Sequence, residues 1–373
     1  MIFFQDKLAE AHVMVVGCGA LGNEVLKNLV LMGVKHIVVV DFDLVEMGNL
    51  SRSVLFRKAD AEAHRLKTDV VAERLQELNP DVEVRTICGD IAYDVGLGVI
   101  RGMDVVIGCV DSRWTRFCIN RLCMRAGVPW VDGGIYELEG TVRVFKPGVN
   151  CYACSLGDEG MRELQRRMPC SGIIRRHEEV GSAPTTSLIA SVIGAVQVQE
   201  ALKLVQESDD LSSLCGKTFY YEGGNLTNCI ANSQAYDDDC AEHELWEPVV
   251  QSKVSLPMTV GEALDCIAQE LGTTQVEICL RNDCFVDYVA ERTTDKKTQV
   301  MLPGRQVESF VEKDERLMGI PFSGLYQHEY RRVSKDFPYL QLSLRALGLP
   351  DEDVLCVNTD MGERYLVLTI DNK

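Results

Sequence analysis

Short apolar runs alternate with amphipathic stretches along the first two thirds of the chain. His12-Val13-Met14-Val15-Val16 and the run from His36 to Val40 read as buried strands, and between them Glu24 to Met32 carries apolar residues at helical spacing. Val70 to Leu78, closed by Asn79-Pro80, gives a second helix, and Val105 to Val110 a third apolar strand. From Thr185 to Val205 a longer run, in which Ala190, Gly194 and Ala195 permit close packing, predicts a buried helix. This alternation predicts an α/β domain with a doubly wound, mostly parallel, Rossmann-like sheet. Past Trp246-Glu247-Pro248 the pattern shortens, with strand candidates at Val276 to Leu280, Thr298 to Leu302, Asp353 to Val357 and Tyr365 to Ile370. Residues 1–245 are therefore expected to form the α/β domain and residues 246–373 a small α+β domain.

At 373 residues both parts can bury their own cores, and 46% hydrophobic with 25% charged residues is ordinary for a globular chain. The formal net charge of -18 changes the picture. Its field repels nucleic-acid backbones and anionic bilayers, so neither is an expected partner, and a nucleotide would need local cations, helix termini and Mg²⁺ to bind. No apolar run approaches the roughly 18 residues that span a bilayer. Met1-Ile2-Phe3-Phe4-Gln5-Asp6 lacks the basic-then-apolar pattern of a secretion signal, so a cytoplasmic location is expected. Fifteen cysteines in such a chain suggest reduced thiols, metal ligands or nucleophiles more than a disulfide framework.

The first candidate site comes directly after the first strand. Gly17-Cys18-Gly19-Ala20-Leu21-Gly22 makes strand, glycine turn, helix, in which Gly17, Gly19 and Gly22 permit a tight turn and close approach of a phosphate to the helix N-terminus. Asp41, at the end of the second strand, lies where an acid can bind a ribose hydroxyl. Taken alone this is also the fingerprint of NAD or FAD enzymes, and a nicotinamide oxidoreductase stands as an alternative. Three motifs further along the chain depart from a dehydrogenase: Asn49-Leu50-Ser51-Arg52, then Lys67 before Val71-Ala72-Glu73-Arg74-Leu75, then Asp111-Ser112-Arg113-Trp114-Thr115-Arg116 after an apolar strand.

With those motifs in order, the stretch from about Ala11 to His243 resembles the superfamily of ubiquitin-activating enzymes and their bacterial relatives, the ThiF, MoeB and HesA adenylyltransferases. The resemblance implies that Asp41 binds the ribose of ATP, that Asn49, Arg52 and Lys67 bind its phosphates, and that Asp111 holds Mg²⁺. Two cations and a metal would stabilise charge developing on departing pyrophosphate. The segment from Ala59 to Arg65 runs about two residues longer than is usual in the family, which makes Arg65 an alternative to Lys67; the helix behind Lys67 aligns without a gap.

Cys151-Tyr152-Ala153-Cys154 and Cys240-Ala241-Glu242-His243 form two C-x-x-[CH] pairs, a full tetrahedral set for one structural Zn²⁺. Relatives that bind zinc here carry two C-x-x-C pairs, so His243 departs from their pattern. Between the first pair and the apolar helix lies Arg166-Arg167-Met168-Pro169-Cys170, in the crossover that carries an acyl-accepting thiol in the resembling enzymes. Arg166, Arg167, Arg175 and Arg176 would favour the Cys170 thiolate as nucleophile.

The implied function is ATP-dependent adenylation of the C-terminal carboxylate of a ubiquitin-like or sulfur-carrier protein ending in Gly-Gly, with thioester transfer as a following step; a non-catalytic scaffold is a further alternative. Many members begin with an arginine-bearing helix, whereas about ten residues precede the first strand here. That implies a heterodimer whose other subunit supplies the arginine, or a homodimer that works without it. Leu256 to Leu264 resembles the start of a ubiquitin-fold domain that recruits a conjugating enzyme, and ordinary domain packing accounts for the same residues.

Overall fold

A computed structural model describes residues 4–165, 185–206, 211–232, 236–281 and 283–370. Two compact units emerge: Met1–Ala92, Val99–Gly157 and Gly181–Leu245 form the first, and Tyr93–Gly98, Asp158–Val180 and Trp246–Lys373 the second. As far as Asn232 the chain runs α1 (Gln5–Glu10), β1 (His12–Val16), α2 (Ala20–Leu31), β2 (His36–Val40), α3 (Lys58–Glu62), α4 (Lys67–Leu78), β3 (Glu83–Ile87) and α5 (Leu97–Arg101). It continues with β4 (Val105–Gly108), α6 (Arg113–Ala126), β5 (Trp130–Tyr136), β6 (Glu139–Phe145), α7 (Tyr152–Gln165), α8 (Ser187–Gln206), β7 (Lys217–Glu222) and β8 (Thr227–Asn232).

The eight strands of the first unit form one sheet in the order β3-β2-β1-β4-β5-β6-β7-β8. The first five are parallel and the last three continue antiparallel. Val13, Val15, Ile37, Val39, Val105 and Ile107 are buried in one core because both faces of a parallel sheet are covered. The strand after β1 lies on one of its sides and β4 on the other. The winding therefore reverses there and opens a crevice outside the carboxyl ends of β1 and β4.

Two residues decide how α8 seats. A Cβ on Gly194 would stand 3.0 Å from the Cβ of Glu24, so glycine lets α8 lie against α2. Gln197, fully buried on α8, donates Nε2 to the Gly108 carbonyl at 3.0 Å and fixes the helix to the end of β4. By length and composition α8 is apolar enough to cross a membrane, which corrects the expectation that no run is; half of its apolar window is buried in the first unit, as in a core helix.

In the second unit β9 (Val249–Gln251), α9 (Val260–Leu271), β10 (Glu277–Cys279), β11 (Phe285–Glu291) and β12 (Lys297–Pro303) precede α10 (Val307–Lys313). β13 (Leu325–Tyr330), β14 (Arg332–Val333), β15 (Val354–Thr359) and β16 (Gly362–Val367) come after it. They make a five-stranded sheet, β14-β10-β15-β16-β9, and a three-stranded sheet, β12-β11-β13. Thr259 and Glu262 form a reciprocal capping box at the start of α9, and Val260, Leu264 and Ile267 pack with Val357 and Leu366. Leu97 joins this unit through its amide, which donates to Asp353 Oδ1 at 2.9 Å.

Candidate nucleotide site and thiol cluster

The glycine turn is built from close approaches. A Cβ on Gly17 would lie 2.5 Å from the Cys109 carbonyl oxygen, and one on Gly22 would lie 1.9 Å from the Gly17 carbonyl oxygen. Gly17 also adopts φ +97°, a conformation glycine takes without strain. Gly19 differs: a Cβ there would meet nothing within 4 Å, and as the residue capping α2 it offers no side-chain acceptor. The space beside Gly19 at the N-terminus of α2, where a helix presents its free amides and positive dipole, is the setting that suits a phosphate.

Asp41 closes one side of this turn. Its carboxylate accepts from the Cys18 amide at 2.6 Å and from the Asp43 amide at 2.8 Å. Burial pushes its pKa up, while the Lys67 ammonium works in the other direction. Lys67 opens α4, is largely buried, and places Nζ 2.7 Å from Asp43 Oδ2. Burial works against its charge, but the carboxylates of Asp41 and Asp43 outweigh it and raise its pKa, so Lys67 is a fixed cation. Arg65, the alternative, is engaged elsewhere: it pairs with Asp60 at 3.1 Å and Glu73 at 2.7 Å.

The segment from Met47 to Ser51 forms a 3-10 turn that Asn49 stabilises by accepting the Glu46 amide at 3.0 Å. Arg52 comes next, with NH1 bonded to the Gly48 carbonyl at 3.1 Å. What ties this segment to the glycine turn is Asn23, fully buried on α2. Its Nδ2 donates to the Cys18 carbonyl at 2.7 Å, and its Oδ1 accepts the Leu55 amide at 2.8 Å. Asn23→Leu leaves that buried amide and that carbonyl unsatisfied, at a cost of about 1–3 kcal/mol each. Chemical denaturation of the variant should therefore shift to lower denaturant, and nucleotide affinity should fall with it.

Asp111 stands exposed beyond β4, just before α6, whose cap Ser112 accepts the Thr115 amide. An exposed carboxylate at a strand's carboxyl end suits a hydrated Mg²⁺, which keeps several waters. Behind it lies a charge cluster that the sequence did not reveal. Asp132, fully buried, accepts from Arg116 Nε at 2.8 Å and from Arg143 NH2 at 2.6 Å. Burial opposes its charge, yet the two guanidinium groups hold its carboxyl below the ordinary range. Arg116 also donates to the Asp111 and Gly133 carbonyls, at 3.4 and 3.1 Å, and so braces the start of α6 against β5.

Cys151, Cys154 and Cys240 come together with their sulfur atoms within 4.8 Å of one another. Burial pushes all three thiols up, and a cation among them would reverse that. Three thiols at this spacing fit Zn²⁺. His243, expected as the fourth ligand, does not join them: its Nε2 faces the Asp237 carbonyl at 2.8 Å and its Nδ1 bonds the Tyr236 hydroxyl. Tyr236, bonded to the histidine, also lies within electrostatic reach of all three thiols. Metal analysis should find zinc lost in Cys154→Ser and kept in His243→Ala.

Helix α6 grips both knuckles. Asn120 donates to Cys151 Sγ at 3.2 Å and accepts the Tyr152 amide at 2.8 Å, while Arg121 NH2 pairs with Glu242 at 2.7 Å. Cys170, the expected nucleophile, and its neighbours Arg166, Arg167, Arg175 and Arg176 lie outside the described residues.

An α/β unit with a glycine turn, a carboxylate held against that turn and a fixed lysine at the switch point, joined to a cysteine cluster, has the parts of a nucleotide-binding domain of the activating-enzyme class. The model of the ThiF family matches residues 3–241, and the chain belongs to that family. The SAMP-activating enzyme E1 of Haloferax volcanii is 30% identical over 223 residues, covering 60% of this chain and 77% of that protein. A sulfur carrier protein adenylyltransferase of Thermus thermophilus is 34% identical over 207 residues, covering 54% and 71%. Mouse adenylyltransferase and sulfurtransferase MOCS3 is 33% identical over 220 residues, and there the match spans 59% of this chain and only 44% of the relative. A crystal structure of E. coli MccB with ATP shares the fold, with a TM-score of 0.50 and 24% identity over 64% of this chain and 68% of that one.

Proposed function

We propose that this enzyme activates the C-terminal carboxylate of a small ubiquitin-like or sulfur-carrier protein by ATP-dependent adenylation. One observation carries the reading: the glycine turn, Asp41 and the fixed cation Lys67 meet at the sheet's switch point in a member of the ThiF family. The names of its relatives, an E1 and several adenylyltransferases, support the same class of reaction.

In the proposed reaction a carboxylate oxygen of the carrier's terminal glycine bonds to the α-phosphorus of ATP. The bond from that phosphorus to the bridging oxygen breaks, and pyrophosphate leaves. Asp41 would hold the ribose, and Asn49, Arg52 and Lys67 the phosphates. Asp111 would hold Mg²⁺, which when bound supplies positive charge to the departing group. The chain's own contribution is positioning and a preorganised positive field. Cys170 would accept the activated acyl group in a later step. A homodimer or heterodimer, a conjugating enzyme recruited by the second unit and a cytoplasmic location complete the proposal.

ATP-pyrophosphate exchange with candidate carriers ending in Gly-Gly tests it. Exchange should be lost in Asp111→Ala and kept in Cys170→Ala. Binding of a nicotinamide dinucleotide without any exchange would select the oxidoreductase instead.

A further inference from the structure

The five-stranded sheet of the second unit sets two cysteines opposite one another. Cys279 on β10 and Cys356 on β15 are direct partners in the antiparallel register. Directly opposed residues of such a pair have Cα atoms about 4.5–5.5 Å apart, inside the span a disulfide bridges. Their side chains meet, because the Cys356 thiol hydrogen-bonds Cys279 Sγ.

The surroundings give the two thiols different roles. On the other side of Cys279, β14 places Arg332 directly opposite, and Asn358 Nδ2 donates to the Cys279 sulfur at 3.4 Å. The bond from Cys356 and the Arg332 charge lower the Cys279 pKa against the effect of burial, which favours the thiolate. Cys279 is half-buried and so the more accessible of the two to a small reagent, whereas its partner Cys356 is buried. An attacking thiol thus sits directly across the strand pair from a resolving one.

We propose that Cys279 and Cys356 form a reversible disulfide by exchange with a low-molecular-weight disulfide, covalently linking β10 to β15. The Cys279 thiolate attacks one sulfur of the small disulfide, forms a mixed disulfide and releases one small thiolate. Cys356, giving up its proton, attacks the Cys279 sulfur and releases the second. The protein pair loses two electrons and the small disulfide gains them. β10 has only three residues, so the bond would add a covalent link to a short strand now held by its ladder hydrogen bonds and by Ile278 in the core. This site is independent of the proposed adenylation, so its test does not depend on that activity.

The intact, zinc-saturated wild-type chain is equilibrated in glutathione buffers from fully reducing to fully oxidising, alkylated and mapped by mass spectrometry without reduction. A peptide linked through Cys279 and Cys356 should appear with rising oxidised glutathione and vanish on reduction. In Cys356→Ser the reaction should stop with glutathione on Cys279. Recovery of both wild-type cysteines in alkylated form across the whole range, or of glutathione on Cys279 without the cross-link, overturns the proposal.

Discussion

Lys67→Met should reduce ATP-pyrophosphate exchange by about a hundredfold or more, the size expected when one preorganised charge is removed from a transition-state site. Two effects add. The cation that would meet the phosphates is lost, and Asp41 and Asp43 are left without the ammonium that offsets them. Their uncompensated field then repels a triphosphate, so affinity for ATP should fall as well as the exchange rate. Arg65→Met is the control: its two carboxylate partners, Asp60 and Glu73, are on α3 and α4 rather than at the glycine turn. Exchange by that variant should stay close to wild type, and isothermal titration with ATP separates the two variants without any carrier protein.

The second large effect is on stability. Asp132→Ala strips two guanidinium groups of the one fully buried carboxylate they share, leaving Arg116, itself mostly buried, with an uncompensated charge. Breaking one side of a buried ion pair in this way costs about 3–5 kcal/mol, measurable by denaturant unfolding. Acid should mimic the variant. Asp132 is held below the ordinary carboxylate range, so its stabilisation is complete above the unfolded-state pKa of about 3.9 and is lost as the pH falls through the lower folded value. Arg116 also bonds the Asp111 carbonyl, so the α6 start that carries Asp111 should loosen in the same variant.

The parts legible in the sequence were those with a strong local signature. β1 and β2 arise from short apolar runs and α8 from a long, mostly apolar one, and the glycine turn shows as three glycines of which Gly17 and Gly22 leave no room for a side chain. Asp41 stood out by its place at the end of the second strand and Lys67 by a family pattern; the structure adds that Asp43 holds the lysine in place beside the glycine turn. Partners that meet only through folding stayed hidden. Asn23 looks like any other polar residue of α2, beside Glu24, Lys27 and Asn28, and nothing local says that it joins Cys18 to Leu55. Asp132 lies between Val131 and Gly133 in a buried strand, and that misplaced charge was the signal that a cation must face it.

The zinc expectation fell short at one residue for a similar reason. Spacing marks His243 as chelating, but only the fold brings Tyr236 and Asp237 to its two ring nitrogens. In the second unit β11 escaped notice because Asp287 interrupts its apolar alternation. That aspartate is buried and satisfied by His328 at 2.9 Å and by the Tyr339 hydroxyl at 3.2 Å, contacts that arise between elements. β13, which supplies His328, is polar along most of its length and carries no strand signature of its own.

The most direct test of the central claim is the intact mass of a carrier protein ending in Gly-Gly after incubation with this chain, ATP and Mg²⁺, with pyrophosphatase present. The account predicts that the carrier gains the mass of one adenylyl group, that hydroxylamine removes it, and that Lys67→Met leaves the carrier unmodified. A carrier unchanged in mass for every Gly-Gly protein tried, under conditions in which the chain binds ATP, would contradict it.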